Sequence, residues 1–511
     1  MSDQLTSIAT HYHERTKYHP ETIATKNKGL DWSKQPSVFK QYKVGHSYDL
    51  TTYLSEKYSQ DELAQQWRRL SRLLICSYGL TAKVSTMGTP LYLRTAPSAG
   101  GLYPAEVYMI SRGTSLLPSG LYNYQSNTHS LIHFWESDVW SDLQEACFKN
   151  LILEDTQLAI ITTAVFERSA WRYEDRAYRR IMLDTGHLLG NIELGCAINQ
   201  YRPHLIGGFV DQMISRILYL DPNQEAAITV ISLQDVSNGN QISFNPPKTT
   251  IFPSEIHTDY PPIDDGELLS YFHQATEIRD PEPSLFSIST SDPSSLEDKY
   301  NFPFCLKVST ETSPLDWNND LIDLENTILK RRSTRAYTGE NLTLDELKSL
   351  LNFTYQSQDY EKTDLDPNPD YFDLELIETF IAVSGVTSLE EGCYYYAPKA
   401  QELRQIRFKN FRQELHYLCL GQNLGRDAGA LVFHTADLQK AVAKYGDRAY
   451  RYLHLDAGHL GQKLNLAAIY LDLGVSGIGG FFDDQVNEVL GIPPEEAVLY
   501  ITTLGRPQRR N

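Results

Sequence analysis

Runs of apolar residues predict two sets of strands and helices that follow in the same order. Residues 106–110 and 157–165 are apolar stretches of strand length, and the second is continuous enough to predict a buried central strand. A long helix is predicted at about 173–199, with apolar residues on more than one face. Such a helix must be covered on several sides, as at a domain interface. The same order returns as a strand near 429–434 and a helix at about 447–473.

The second half of the chain repeats the first at an offset of about 272 residues. The matching segments are Tyr173–Arg179 with Tyr445–Arg451, Asp184–Leu188 with Asp456–Leu460, Gly207–Phe209 with Gly479–Phe481, and Gly120–Tyr124 with Gly392–Tyr396. This period is far longer than the roughly 20–50 residues of stacked repeats, so each copy is a whole domain. We expect an α+β fold of two tandem α/β sandwich domains that form an intramolecular pseudo-dimer.

Composition shifts predict where these domains begin and end. Residues 1–60 form a polar and aromatic arm with little periodicity, and the first copy spans 61–236. A proline-rich, acidic segment at 237–317 is predicted to be an extended linker that contains one short helix near 266–278. The second copy spans 318–511.

The net charge of −19 argues against a nucleic-acid partner, although a local basic pocket for a small anion stays possible. The six cysteines are far apart and lack metal-ligand spacing, so we expect reduced thiols and no metal. Residues 1–17 are polar, and no stretch of about 18 apolar residues occurs. We therefore expect a cytoplasmic protein without a membrane partner.

A basic cluster opens the second copy. Arg331, Arg332, Ser333 and Arg335 precede a predicted helix that starts near Thr343. Guanidinium groups donate in pairs to phosphate oxygens, so this segment is a candidate phosphate clamp. On its own, such a basic cluster is more often a solvated surface than an anion site. Near the chain's end, Arg506 follows an apolar strand at 497–501 and offers a further guanidinium.

The first copy lacks such a clamp. The residues that match Arg331 at the 272-residue offset fall in the acidic Ser59-Gln60-Asp61-Glu62. The basic run at 68–72 sits inside a predicted helix, so we interpret it as a charged helix face.

The loop at Pro97-Ser98-Ala99-Gly100-Gly101 shows the opposite asymmetry. Paired glycines let backbone N–H groups approach a flat ligand, and the serine adds a hydroxyl. The matching segment in the second copy, Pro369–Asp373, is bulky and acidic. The first copy thus keeps a loop suited to a planar ring, and the second copy keeps the clamp.

These motifs resemble the nitroreductase superfamily of flavoproteins, and within it the streptolysin-type (SagB-type) azoline dehydrogenases. The resemblance covers about 60–235 and 320–510, with Pro97–Pro104 and Lys444–Arg448 as its most specific segments. It implies nitroreductase-like domains that bind FMN where two subunits meet. Here the two copies would share one complete FMN site and leave one decayed site.

The resemblance also implies roles for individual residues. Arg331, Arg332, Ser333, Arg335 and Arg506 would hold the phosphate of FMN. The flavin ring would lie against Pro97, Ser98, Ala99 and Gly100, and Gly479 and Gly480 match the family's glycine segment near the flavin.

Lys444 and Tyr445 match a Lys-Tyr pair that azoline dehydrogenases use during oxidation. Hydride removal requires that a proton also leave, and a lysine or tyrosine of lowered pKa is able to accept it. The first copy has Arg172-Tyr173 at this place, and an arginine cannot be a neutral base. The alternative is a surface lysine beside a packed tyrosine.

His187 and His459 are predicted to pack in the helices or at their interface rather than to bind a ligand. Arg176 and Arg448 each follow an aspartate and are predicted to hold the helix starts by ion pairs.

Three functions remain open at this point. The leading hypothesis is FMN-dependent dehydrogenation of an azoline or a similar small ring in a small molecule or modified peptide, with the electrons returned to oxygen. The second is reduction of nitro compounds or quinones by NAD(P)H. The third is a non-catalytic flavin-binding partner in a peptide-modification complex. Further self-association of the chain is compatible with each.

Overall fold

The structure is a computed structural model that describes residues 6–23, 29–55, 61–85, 90–237, 250–279, 289–290 and 298–508. In chain order, its strands are β1 His46–Asp49, β2 Leu80–Val84, β3 Leu91–Arg94, β4 Ala105–Ser111, β5 Gly120–Gln125, β6 Ser130–Trp135, β7 Leu158–Val165, β8 Tyr201–Ile206, β9 Glu225–Asp235, β10 Thr250–Ile251, β11 Ser289–Thr290, β12 Lys307–Ser309, β13 Leu342–Thr343, β14 Glu378–Val383, β15 Val386–Thr387, β16 Gly392–Ala397, β17 Glu402–Arg407, β18 Ala430–Asp437, β19 Gly474–Ile478 and β20 Glu496–Gly505.

The α-helices are α1 Ile8–Thr16, α2 Thr52–Ser55, α3 Glu62–Tyr78, α4 Trp140–Ala146, α5 Ile152–Asp155, α6 Phe166–Tyr173, α7 Ala177–Ile198, α8 Asp211–Ile217, α9 Leu268–Ala275, α10 Ile322–Lys330, α11 Leu344–Tyr355, α12 Arg412–Leu418, α13 Asn423–Asp427, α14 Leu438–Tyr445, α15 Ala449–Tyr470 and α16 Asp483–Leu490. None of the helices in the described part of the chain has the length and apolar character needed to cross a membrane.

Each copy forms one antiparallel sheet of seven strands. The order is β1-β6-β5-β4-β7-β9-β8 in the first sheet and β12-β17-β16-β14-β18-β20-β19 in the second. The apolar run predicted at 157–165 is indeed a central strand, β7, which pairs with β4 on one side and β9 on the other. Two such sheets with packed helices confirm the predicted α+β fold.

The long helices α7 and α15 pack against each other between the two sheets. Nearly all their side chains are buried, because helices and strands of both copies cover them. Gly186 and Gly458 lie where the two helix backbones meet. This arrangement explains why neither helix has a polar face in the sequence.

Reciprocal ion pairs join the copies beside these helices. Arg176 and Arg179 bind Asp483 at 2.9 and 2.7 Å, and the matching pair Arg448 and Arg451 binds Asp211, both at 2.7 Å. Such two-way contacts are typical of a two-fold interface. Arg176 and Arg448 thus form ion pairs, but with the other copy's α16 and α8 rather than with their own helix starts.

The repeat also includes the two segments predicted to be an arm and a linker. Helix α1 of the arm stacks on α9 of the linker, with the rings of Tyr12 and Phe272 4.3 Å apart. Arg179 Nη2 donates to the carbonyl of His13 at 2.6 Å, and Arg451 Nη2 donates to the carbonyl of His273 at 3.1 Å. The linker is therefore the second copy's counterpart of the N-terminal arm.

The sheets begin upstream of the predicted domain boundaries. β1, at 46–49, lies inside the predicted arm and pairs with β6. β12, at 307–309, lies inside the predicted linker and pairs with β17. The boundaries at residues 61 and 318 are therefore too late for both copies.

Candidate functional site

The predicted clamp reaches across to the first copy. Arg331 follows α10 and donates from Nε to the carbonyl of Thr95 and from Nη2 to the carbonyl of Arg94 at 3.1 Å. Arg332 donates from Nη1 and Nη2 to the hydroxyl and carbonyl of Thr81, at 3.0 and 3.1 Å. Since Thr95 lies two residues before Pro97, these contacts bring the clamp to the predicted ring-binding loop.

Arg331 carries a buried charge that forms no ion pair with a carboxylate among the described residues. Only 2% of it is exposed, and its third partner is the Ser333 hydroxyl at 3.4 Å. Burial lowers the pKa of Arg331 to about 10, and the neighbouring Arg332 and Arg335 act in the same direction. A buried cation surrounded by further cations attracts an anion.

The clamp is attached to the edge strand of the second sheet. Thr334 N donates to the carbonyl of Val475 at 2.8 Å, and Val475 N donates to the Thr334 hydroxyl at 3.0 Å. Both contacts are on β19, which leads directly to Gly479 and Gly480. One strand therefore connects the clamp to the predicted glycine segment.

Asp184 of α7 holds the loop that starts at Pro97. Its carboxylate accepts from the Ser98 hydroxyl at 2.5 Å and from Ala99 N at 3.1 Å. Burial raises the pKa of Asp184 to about 7. Gly100 and Gly101 have φ angles of 67° and 68°, which only glycine adopts readily. A Cβ on Gly100 would lie 2.7 Å from the Tyr173 hydroxyl.

Arg180 lies between this loop and the glycine segment. Its Nη2 donates to the carbonyl of Gly479 at 3.3 Å, and its guanidinium lies 3.5 Å from the centre of the Tyr173 ring. The Tyr173 hydroxyl in turn lies next to Gly100. The structure thus brings the clamp, the Pro97–Gly100 loop and Gly479-Gly480 to one place between the copies, which we call the split site.

The nitroreductase family model matches residues 62–232 and 328–506. The chain belongs to the nitroreductase family. The resemblance found in the sequence is thereby confirmed, and the two matched segments fit the two copies.

Three proteins illustrate the similarity. A crystal structure of a protein assigned to the nitroreductases, from Anabaena variabilis, is 67% identical with a TM-score of 0.93, and the match covers 98% of this chain and 100% of that one. A nitroreductase homologue of Methanocaldococcus jannaschii is 33% identical over 187 residues, 36% of this chain and 91% of its own. The microcin B17-processing protein McbC of Escherichia coli is 24% identical over 155 residues, 28% of this chain and 55% of McbC.

Arg506 of this nitroreductase-family chain lies beside the clamp but has a carboxylate partner. Its Nη2 donates to Glu346 of α11 at 2.8 Å, and its carbonyl accepts from Thr338 N at 3.0 Å. Its role in holding a phosphate stays a prediction. To bind a phosphate, however, it would have to exchange Glu346 for the ligand.

The prediction that Lys444 and Tyr445 act beside the clamp is corrected by the structure. Both contact Asp373 of the second copy, with distances of 2.6 Å from Lys444 Nζ and 2.8 Å from the Tyr445 hydroxyl. The Ser98 loop contacts Arg172 and Tyr173 instead. Each loop therefore contacts the residue pair of its own copy, whereas the clamp that reaches the Ser98 loop comes from the other copy.

The second, symmetry-related place is filled by residues 366–371 of the second copy. Asp366 binds Arg202 of β8 at 2.9 Å, and the Asp370 carboxylate accepts from Leu205 N at 2.9 Å. β8 is the counterpart of β19, so these acidic residues occupy the edge where the clamp binds in the split site. The Tyr371 ring covers His459, with centroids 4.4 Å apart.

A small cavity of about 30 Å³ lies there, lined in part by Glu193 and His459. His459 bonds Glu193, and His187 bonds the Tyr500 hydroxyl at 2.8 Å. Both histidines are buried at the interface, where we expected them to pack.

The first copy lacks the clamp for a reason that differs from the one predicted. It is not a substitution at Ser59–Glu62, of which residues 59 and 60 lie outside the described residues. Strand β1 leads to α3 through the short stretch 50–61, whereas β12 leads to α11 through 310–343, which includes α10 and the clamp. The basic run at 68–72 serves structure, because Arg69 pairs with Asp235 and Arg72 with Glu325 of α10.

Sequence reasoning missed Arg180 and its neighbour Tyr18. Arg180 aligns with Tyr452 at the 272-residue offset, so its asymmetry was visible in the sequence. Tyr18 belongs to the arm, whose repeat was not recognised.

Proposed function

We propose that this chain is an FMN-dependent oxidoreductase that binds one FMN in the split site. The observation that supports this most strongly is Arg331. Its guanidinium is buried and has no carboxylate partner in the part of the chain that the structure describes, and it lies next to the loop of positive-φ glycines in the other copy. A ligand with an anionic tail and a flat ring suits both features.

The residues at the site fit the parts of FMN. Arg331, Arg332, Ser333 and Arg335 would hold the phosphate, since guanidinium groups donate in pairs to its oxygens. The ring would lie against Pro97–Gly100 and Gly479-Gly480, where missing side chains let the backbone approach. Bound there, FMN would supply two-electron hydride transfer.

The neighbours of the ring favour reduction of an electron-poor acceptor, such as a nitro compound or quinone, with NAD(P)H as the hydride donor. Arg172 stands where an azoline dehydrogenase would place a lysine base, and the Arg180 guanidinium lies nearby on the Tyr173 ring. Arginine remains charged, so it donates hydrogen bonds and does not accept a proton. Such donors stabilise negative charge that develops on a substrate oxygen. Solvent would supply the protons.

Dehydrogenation of an azoline or a similar ring is the second candidate, supported by the 24% identity to McbC, a microcin B17-processing protein. In that case the phenolate form of Tyr173, which borders the Ser98 loop, would receive the substrate's proton.

Anaerobic stopped-flow measurements with the reconstituted protein distinguish the two reactions. We expect NADPH to bleach the flavin at a rate at least as fast as turnover with a quinone acceptor. Slow bleaching by NADPH, together with rapid bleaching by an azoline-containing compound, would reverse the assignment. Bound flavin with no turnover of any substrate would instead favour a non-catalytic binding partner.

A further inference from the structure

Arg180 connects the two ring-lining elements of the split site. A Cβ placed on Gly479 would lie 3.2 Å from Arg180 Nε, and a Cβ placed on Gly480 would lie 3.4 Å from Nη2. On its other side the guanidinium stacks on Tyr173, which borders Gly100. The side chain therefore borders the place at which the proposed function puts the flavin ring.

The hydrogen bonds of Arg180 are incomplete. The residue is 7% exposed, and its Nη1 is buried without a hydrogen-bond partner in the described part of the chain. No carboxylate among the described residues forms an ion pair with it, although its charge lowers the pKa of Asp184 slightly against the larger effect of burial. A buried, unpaired donor on a cation is costly, and a ligand oxygen would satisfy it.

Tyr18 of the N-terminal arm lies beside Gly480, as Arg180 does, and its ring also packs against the Arg176 guanidinium at 4.2 Å. Tyr18 N donates to Asp483 at 3.1 Å, and the residue forms a β-bridge with Phe482. Its Cε2 would lie 3.8 Å from a Cβ on Gly480. Burial raises the pKa of Tyr18, but the charges of Arg180 and Arg176 and a side-chain hydrogen bond with Arg180 outweigh it, so the net shift is downward; Asp483 opposes it weakly.

The filled second site offers an internal comparison. Tyr452 takes the place of Arg180 there, and its hydroxyl donates to the carbonyl of Gly207, the counterpart of Gly479. Ile278 takes the place of Tyr18, since Ile278 N donates to Asp211 at 2.9 Å as Tyr18 N does to Asp483. Among the described residues, the pair of Arg180 and Tyr18 therefore lies in the site that has the phosphate clamp, whereas the filled second site has Tyr452 and Ile278 instead.

We propose that Arg180 is a flavin-binding residue that donates its free N–H to a carbonyl oxygen of the ring, and that Tyr18 is its positioning residue. The proposal rests on the proposed function, because it requires FMN in the split site. A fixed cation at the ring stabilises the negative charge that the ring gains on reduction more than it stabilises the oxidised ring. Arg180 therefore raises the reduction potential of the bound flavin as well as its affinity.

The test uses full-length protein reconstituted with FMN. Flavin per chain, the Kd for FMN from fluorescence quenching, and the midpoint potential are measured for the wild type, Arg180→Gln, Arg180→Lys and Tyr18→Phe. Arg202→Gln is the matched control, since it removes a guanidinium at the filled second site. We expect Arg180→Gln to bind oxidised FMN about tenfold more weakly, as for a lost charged hydrogen bond. A further tenfold loss for the reduced form would lower the potential by about 30 mV.

The reduction potential of Arg180→Lys should stay closer to that of the wild type than the potential of Arg180→Gln does, because lysine keeps the positive charge. Tyr18→Phe should lower the potential less than Arg180→Gln does, and Arg202→Gln should match the wild type. An Arg180→Gln protein with wild-type Kd and potential would overturn the inference. If the Arg180→Gln protein does not fold, a Tyr18→Phe protein with an unchanged reduction potential would overturn the inference instead.

The two proposals fail separately. A wild-type protein that binds no flavin refutes the proposed function, whereas one equivalent of flavin with a potential insensitive to Arg180 refutes only this inference.

Discussion

Gly186 and Gly458 face each other where α7 crosses α15. A Cβ on Gly186 would lie 2.8 Å from Cα of Gly458 and 2.2 Å from the carbonyl oxygen of Leu455. The two glycines are equivalent residues of the two copies, so the approximate two-fold axis passes between them. Their small size sets how closely the copies approach, and thereby the geometry of the split site.

Replacement of Gly186 by alanine should therefore force the two long helices apart. We expect Gly186→Ala to lower the free energy of unfolding by about 1–3 kcal/mol, as overpacking of a tight core does. Urea denaturation followed by circular dichroism measures this. Gly29→Ala is the control, because nothing lies within 4 Å of a Cβ there. Equal stability of both variants would show that the helix contact is looser than described.

Replacement of Arg331 by glutamine should weaken FMN binding about ten- to a hundredfold, because charged hydrogen bonds contribute about 1.5–3 kcal/mol each. Isothermal titration with FMN measures the change. Arg69→Gln is the matched control, since that guanidinium is paired with Asp235 outside the split site. Similar losses in both variants would point to a general effect on stability.

One equivalent of FMN should bind per chain, because residues 366–371 fill the second site and the first copy lacks a clamp segment. Extraction and absorbance of the flavin give the ratio. Tyr371→Ala, which enlarges the small cavity beside His459, should leave it unchanged. Two equivalents in either protein would contradict the assignment of a single site.

Asp184→Asn should change how stability depends on pH. Burial raises the pKa of Asp184 to about 7 in the folded protein, above the usual value of about 3.9. The folded state then holds a proton that the unfolded state has released. Stability from this group is full below about pH 4 and is lost as pH rises towards 7.

The wild type should accordingly lose stability relative to Asp184→Asn between these pH values, as measured by denaturation at each pH. Burial lowers the pKa of His187 to about 3, which makes an opposite contribution to the pH dependence of stability. Because both proteins contain His187, that contribution cancels when the variant is compared with the wild type. Asp456→Asn should behave likewise, because burial also raises the pKa of Asp456 to about 7. A difference that is flat from pH 4 to 7 would mean that Asp184 is ionised throughout.

Lys444→Gln should leave turnover within about twofold of the wild type, because its amine binds Asp373 away from the split site. Arg172→Gln, beside Gly100, should lower turnover about tenfold, as the loss of one charged hydrogen bond of about 1.5 kcal/mol does. Steady-state rates with a quinone acceptor test both variants. The reverse ranking would restore Lys444 as the acting residue.

The fold of each copy could be predicted because its main elements are strongly apolar. β7 and α7 lie close to their predicted ranges, since a continuous apolar run or a helix that is apolar on all sides is stable only when it is buried in the core. The arm's repeat was missed because few side chains carry it. Thr16 and Thr276 use their hydroxyls, but His13 and His273 contribute backbone carbonyls, which any residue has.

The clamp and the Pro97 loop were predicted as parts of one site because each was missing from the other copy. Lys444 was misplaced for the same reason. Its loss in the first copy suggested that it works with the clamp of the second, yet the exchange between copies places Arg172 and Tyr173 at the clamp. An offset in sequence identifies equivalent residues but does not tell which end of a two-fold interface each one faces.

The reciprocal contacts of the two copies have a consequence for how such a chain changes over generations. In a pair of identical subunits every mutation appears twice, so a change that fills one pocket also fills the other. When both copies lie in one chain, each can change independently, and residues 366–371 fill one place while its counterpart has the clamp. The tether thus permitted an asymmetry that no homodimer of identical chains could encode.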